Sequence, residues 1–190
     1  MPATPLDWSE VFGRSAPLLL EVGFGMGEAL LATARLHPEW NCLGVDVYRP
    51  GIGATLLKCE AEDVANVRLV EGDVRVLLAR GFADGTLARV HLFFPDPWPK
   101  TRHHKRRLVD AAFAARLATR METDAELHAA TDWRPYAEQM LNVFDAESRL
   151  RNAAGTGRFA TSGDRATTRF EARGVRLGHE VFDLVYRRIA

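Results

Sequence analysis

Leu18 to Gly27 reads LLLEVGFGMG, and the fold is decided there. An apolar run bounded by Pro17 and Gly23 predicts a short buried strand over Leu18 to Val22. Gly23, Gly25 and Gly27 then let the backbone turn tightly, with no Cβ to keep a ligand away. Leu30, Leu31 and Ala34 follow at helical spacing, so a helix is expected over Gly27 to Leu36, stopped by His37-Pro38. A strand passing through a glycine turn into a helix is the opening of a βαβ unit.

The same alternation continues outward. Strands are predicted over Asn41 to Val45, Val67 to Val70, Val90 to Phe94 and Leu127 to Thr131. Helices are predicted through Leu56, Leu57 and Cys59 to about Val64, from Val74 to Leu78, from Leu108 to Met121 and from Trp133 to Phe144. Strand and helix taking turns imply a doubly wound, mostly parallel α/β sheet, in which ligands bind beyond the carboxyl ends of the strands. Acids stand at or beside five such ends: Glu21, Asp46, Asp73, Asp96 and Asp132. Each of them alone is also explained as a cap on the next helix or turn.

The glycine spacing differs from G-x-G-x-x-G, where helix N–H groups face a pyrophosphate. With Asp46 able to accept both hydroxyls of a ribose, and Asp73 beyond it, the pattern fits an adenosine carrying an uncharged or cationic tail.

The fourth strand runs into FFPDPWPKTRHHKRR, Phe93 to Arg107. Three prolines that fix φ and withhold an N–H pin Asp96 at a rigid turn. Lys100, Arg102, Lys105, Arg106 and Arg107 follow, with His103 and His104 between them. That pairing suggests a carboxylate at a pocket mouth beside a basic landing strip. Cations at a helix start oppose the helix dipole, so the cluster needs a reason other than helix formation, and phosphate contact supplies one. Adjacent histidines without a cysteine partner do not make a zinc site.

At 190 residues the chain fits one domain over 1–190, with a short extension over 1–17 and an arginine-rich part over 149–190. Lys plus Arg and Asp plus Glu both total 25, which on its own counts against a nucleic-acid binder. The charge is uneven, however. From Arg149 onward there are nine arginines against Asp164, Glu171, Glu180 and Asp183. Cys42 and Cys59 stand apart in apolar or helical contexts and read as buried free thiols of a reducing compartment. No signal-peptide pattern or long apolar run is present, so the expected location is the cytoplasm.

Four segments together resemble the tRNA (guanine-N7-)-methyltransferase family: Glu21 to Gly27, Phe93 to Arg107, Ala130 to Trp133 with Tyr136 to Leu141, and Thr168 to Gly174. The Phe-Pro-Asp-Pro-Trp block with its basic sequel is the most specific of them. The resemblance implies a seven-stranded, Rossmann-like class I fold dependent on S-adenosylmethionine, with the last two strands from Phe170 to Val175 and from Val181 to Arg187. It implies transfer to N7 of the variable-loop guanosine at position 46 of tRNA, with tRNA as partner, no membrane, no obligate protein partner, and a monomer or homodimer. It also implies that Glu21, Gly23, Gly25, Gly27, Asp46, Asp73 and Asp96 hold the donor, with Asp96 catalytic. Lys100, Asp132, Thr168, Arg169, Phe170 and Glu171 would bind substrate, and Arg102, His103, His104, Lys105, Arg106 and Arg107 would contact RNA.

Departures from the family pattern are few. Asp46 stands where Glu is common, Thr101 replaces a frequent Lys, and METDAE at Met121 to Glu126 lacks a glycine pair, altering a loop. Trp98 either stacks on the target base or packs under the proline turn, Trp40 and Trp133 are expected in helix and sheet packing, and Met26 in a pocket wall. Thr168 and Glu171 also read as a capping pair. The rival readings are a nicotinamide dehydrogenase, a noncatalytic RNA-binding module, and a methyltransferase acting on DNA or protein amines.

Overall fold

A computed structural model describes residues 5–161 and 180–190. Among them, β1 (Leu18–Val22), β2 (Asn41–Asp46), β3 (Val67–Glu71), β4 (Leu87–Phe93), β5 (Met121–Thr131), β6 (Leu150–Asn152) and β7 (Phe182–Arg188) form one sheet. The order is β3-β2-β1-β4-β5-β7-β6, with β7 antiparallel to both its neighbours and the other adjacent pairs parallel. The helices are α1 (Trp8–Phe12), α2 (Glu28–Leu36), α3 (Arg49–Ala61), α4 (Val74–Arg80), α5 (Ala111–Arg120) and α6 (Arg134–Ala146).

Because β1 is buried along its whole length, its side chains feed two cores. Leu18, Leu20 and Val22 face the larger one with Leu77, Leu78, Phe113, Leu117, Tyr136 and Met140 from α4, α5 and α6. Leu19 faces the smaller one, with Leu30, Leu31 and Ala34 from α2 and Ile52 and Cys59 from α3. Strand order reverses between β1 and β4, so the helices leaving those strands diverge to opposite faces. A crevice opens between their carboxyl ends.

Several element boundaries differ from expectation. β5 begins at Met121, not Leu127, because α5 ends directly into a strand whose first residue is fully buried opposite Leu87. The break needed there comes from Asp124 at φ 66° and a register shift between Leu87 and Arg89, so METDAE is an irregular strand and not a loop. α5 starts at Ala111 because Asp110 caps it, accepting from the Phe113 N–H at 2.8 Å, while a 3₁₀ turn occupies Thr101–Arg106. The strand expected over Phe170 to Val175 lies outside the described residues. The edge strand β6 was not foreseen, and the last strand is Phe182–Arg188.

Candidate active site

The glycine turn after β1 is held from below by α3 at three points. Gly51 lies against the Gly25 carbonyl so closely that a Cβ there would come within 2.0 Å of the oxygen. Thr55 fills the space under Gly27, where a Cβ would meet its Oγ1 at 2.3 Å, and Lys58 Nζ donates to the Met26 carbonyl at 2.7 Å. Above the turn the situation is reversed. Gly23 and Gly25 have φ of 69° and 56°, and a Cβ on either would meet nothing within 4 Å. The turn is therefore packed on its underside and open on its upper side, a surface on which a ligand can lie directly against backbone.

Asp46 ends β2 and ties this turn to the next one. Its Oδ2 accepts from Gly25 N–H at 2.7 Å and its Oδ1 from Tyr48 N–H at 2.9 Å. Each oxygen keeps a second lone pair, which leaves the carboxylate able to accept from a diol as well. Asp73 is exposed beyond β3 and caps α4 through Arg75 N–H at 2.7 Å. For these two acids the capping reading and the ligand reading are compatible.

Glu21 differs from the other acids in being 2 % exposed, with Oε2 lacking a hydrogen-bond partner among the described residues. Loss of hydration disfavours its charged form and pushes its pKa up to about 8. Phe94 closes β4, its N–H bonded to the Ala130 carbonyl at 2.8 Å and its φ at 50°, and the chain then enters Pro95-Asp96-Pro97 with the Asp96 side chain exposed. Asp132, half-buried, follows β5 on the neighbouring strand. The five acids thus come from five consecutive parallel strands to one edge of the sheet, at and beside its reversal point.

The basic strip divides into two parts. Lys100, Arg102, Lys105 and Arg106 are exposed, and His103 and His104 are half-buried along the 3₁₀ turn. Arg107 contradicts the expectation of an RNA contact. It is 4 % exposed and points inward, donating to the Pro97 carbonyl at 2.8 Å and to Gln139 Oε1 at 2.5 Å, with its guanidinium over the Tyr136 ring at 4.9 Å. Tyr136 and Gln139 are in turn fixed on Val109, whose N–H donates to the tyrosine oxygen and whose carbonyl accepts from Gln139 Nε2. Arg107 therefore fastens the Asp96 loop to α6.

Trp98 packs within the turn, with Arg106 over its ring at 4.9 Å and His103 edge-on at 5.8 Å. Trp133 departs from the packing role expected of it. It precedes α6 at the carboxyl edge, 39 % exposed, and Met26, Val47 and Tyr48, which follow β1 and β2 at the same edge, are exposed as well. Thr168, Arg169, Phe170 and Glu171 lie outside the described residues. A cavity of about 510 Å3 lined by Arg14, Arg35, Glu62, Asn66 and Arg68 sits at the opposite edge, where Arg14 and Arg68 are committed to backbone carbonyls and Arg35 to Glu62.

This chemistry suits an adenosine with a cationic tail better than a dinucleotide. The ligand surface over Gly23 and Gly25 is bordered by carboxylates, and Lys58 beside it is committed to Met26 O and Glu28. A positive ligand stabilises the charged form of a buried acid such as Glu21, and a pyrophosphate disfavours it.

Comparison with known proteins agrees with this geometry. The family model described as a putative methyltransferase matches residues 15–184. A tRNA (guanine-N(7)-)-methyltransferase of Alkalilimnicola ehrlichii is 50% identical over 184 residues, covering 97% of this chain and 78% of that protein. The enzyme of the same name from Thiobacillus denitrificans is 50% identical, covering 96% and 80%. Among solved structures, the 16S rRNA methyltransferase KamB superposes with a TM-score of 0.70 at 15% identity, covering 100% of this chain and 96% of that one. The 16S rRNA (adenine(1408)-N(1))-methyltransferase of Catenulisporales acidiphilia gives 0.65 at 20% identity over the same shares. At those identities the structural likeness is one of fold.

Proposed function

Since the chain belongs to the tRNA (guanine-N(7)-)-methyltransferase family, we propose that it methylates N7 of guanosine 46 in the variable loop of tRNA, using S-adenosylmethionine. The observation that carries this reading is the meeting of two motifs at the reversal point of the sheet. The open glycine turn follows β1, and the Asp96 loop follows β4, its immediate neighbour.

When bound, S-adenosylmethionine supplies an electrophilic methyl group on a sulfonium. Gly23 and Gly25 would give its tail close access to backbone, with Glu21 nearby on β1, and Asp46 would accept from the ribose. Asp73, Tyr48, Val47 and Met26 would hold the rest of the donor. Asp96 would serve donor and acceptor together, and Asp132, Trp133 and Lys100 would hold the acceptor, with Thr168, Arg169, Phe170 and Glu171 assigned there by sequence alone. Guanine N7 carries a lone pair and no proton, so it attacks without a general base. The chain's task is alignment at near-attack distance, an effect on the order of 7–11 kcal/mol when the geometry is good. Asp96 accepts from the guanine N1–H and amino edge, orients the base, and stabilises the positive charge the base acquires.

The deciding experiment is transfer of labelled methyl to unfractionated tRNA, with digestion to locate 7-methylguanosine. Label at guanosine 46 supports the reading, and label at another guanosine or in no tRNA would overturn it. Tighter tests address the parts. Gly51→Ala should push the Gly25 carbonyl upward into the ligand surface and weaken donor binding about 10- to 100-fold, the equivalent of about 1–3 kcal/mol of overpacking. Gly53→Ala, on the same helix with nothing within 4 Å of its added Cβ, should bind donor as the wild type does. Calorimetric titration of both variants checks this.

The exposed cations carry phosphate affinity, and RNA shape with an accessible loop base carries selection. Arg102→Ala and Lys105→Ala should each lower the slope of log affinity for tRNA against log salt by about 1, at unchanged kcat. Filter binding between low and moderate salt reads the slope.

A further inference from the structure

The loop that carries Asp96 is bracketed by two aromatic residues in left-handed backbone, Phe94 at φ 50° and Trp98 at φ 43°. The other non-glycine residues with positive φ among those described are Asp63 and Asp124, and aspartate enters this region at small cost. A bulky aromatic residue there is an outlier. Each of the two also stands directly before a proline, Pro95 or Pro99, whose ring favours an extended conformation in the residue preceding it. With the candidate catalytic carboxylate midway between them, these outliers mark a loop shaped against its local preference.

Such backbone persists only where its surroundings hold it. Phe94 is held from the sheet, through its N–H on the Ala130 carbonyl at 2.8 Å and by packing against the buried cluster of Ala29, Phe93 and Ala130. From Pro95 to Pro99 that means is scarce, because the prolines leave only Asp96 and Trp98 with an N–H. Trp98 is held through its ring instead. The Arg106 guanidinium lies over the indole at 4.9 Å, and the His103 ring meets it edge-on at 5.8 Å. His103 is fixed in turn, its N–H on the Lys100 carbonyl at 2.7 Å. Both contacts on the indole therefore come from the 3₁₀ turn, Thr101–Arg106, that carries the basic strip. Among the described cations Arg106 is the one over Trp98, and it is exposed. A guanidinium over an aromatic face keeps its N–H donors at its rim, so it can stack and bind a phosphate at once.

We propose that Trp98 is a positioning residue for methyl transfer: its ring, gripped by Arg106 and His103, keeps the backbone at position 98 left-handed and so fixes the placement of Asp96. This rests on the reading of Asp96 given above. In this role the indole is a strut of the loop and does not stack on the target base. Arg106 then serves twice, holding the strut and meeting the RNA backbone, so that seating a phosphate on the strip and placing the carboxylate are linked. Arg102 and Lys105 serve only the first of those partners, the RNA.

The test compares Trp98→Phe, Trp98→Gly and Trp98→Ala with the wild type, by thermal melts of the full chain without RNA and by single-turnover transfer to tRNA with both substrates saturating. Trp98→Ala loses the ring and keeps a Cβ that left-handed backbone disfavours. A displacement of Asp96 by about 1 Å should lower its saturating rate about 100-fold. Trp98→Gly also loses the ring but enters left-handed backbone freely. It should melt above Trp98→Ala and transfer about 5- to 30-fold faster, the factor by which a Cβ disfavours that conformation. Trp98→Phe keeps an aromatic face for Arg106 and should stay within about tenfold of the wild type. Arg106→Ala should lower the saturating rate about 2- to 5-fold, the worth of an exposed cation–π contact, besides lowering the salt slope for tRNA by about 1. Trp98→Gly melting no higher than Trp98→Ala, or transferring no faster, overturns the proposal. A Trp98 series that raises KM for tRNA at an unchanged saturating rate, the pattern of a base-stacking platform, overturns it too, as does an unchanged saturating rate in Arg106→Ala. No transfer by the wild type is a different result: it overturns the reading of Asp96 itself, and the melting order then reports on the backbone at position 98 alone.

Discussion

Asp96→Asn should lower kcat for methyl transfer by about 10²- to 10³-fold, the range found when a group aimed at developing transition-state charge is lost. KM for tRNA should change little. The substitution keeps the shape of the side chain and removes its charge, and the flanking Pro95 and Pro97 keep the loop in place. On the proposed reading, affinity for tRNA comes from Lys100, Arg102, Lys105 and Arg106, which the change does not touch. Single-turnover transfer with both substrates saturating isolates the effect on the chemical step. A rate within a few-fold of wild type would remove Asp96 from the chemistry and leave it as a loop residue. If the carboxylate acts by orientation and charge, Asp96→Glu should also recover little, because an added methylene moves the charge by more than alignment tolerates.

The parts of this site that were legible in sequence are those written in contiguous residues. Leu18 to Val22 could be read as a central strand because it is apolar on both faces, and Gly23 to Gly27 as an open turn because three glycines at alternate positions leave few alternatives. The exposed turn at Asp96 was legible because prolines flank it. What was not legible depends on residues that meet only in the fold. Met121 to Glu126 has no apolar alternation, and its strand character comes from pairing with Leu87 and Arg89. The buried polar row of Glu21, His91 and His128 exists only once three strands are set in register. Trp133 read as core by residue type, but its place before α6 puts it at the carboxyl edge. Arg107 was the most misleading. It ends a run of cations that are otherwise exposed, and nothing local distinguishes it from Arg106. The partners that draw it inward come from Pro97, 10 residues earlier, and Gln139, 32 residues later.

Arg107→Ala should therefore behave as a core substitution and not as the loss of a phosphate contact. It strips the Pro97 carbonyl and Gln139 Oε1 of their donor and uncovers the Tyr136 ring. A buried polar group left without a partner costs about 1–3 kcal/mol, so a total loss of about 2–4 kcal/mol is expected. For a chain of this size that lowers Tm by roughly 5–15 °C. Activity should fall further than stability explains. Pro97 is the residue after Asp96, and a loop displaced by about 1 Å can cost on the order of 10²-fold in rate. Arg107→Lys should rescue little, because one ammonium cannot serve Pro97 and Gln139 in the fork geometry a guanidinium supplies. Thermal melts, kcat and the salt dependence of tRNA binding, measured on Arg107→Ala beside Lys105→Ala, separate the two roles. The clamp predicts a low Tm, a low kcat and an unchanged salt slope for Arg107→Ala, and the reverse pattern for Lys105→Ala. If Arg107→Ala instead melts like the wild type and loses about one unit of slope, then Arg107 turns outward to the RNA backbone, and the Asp96 loop is held without it.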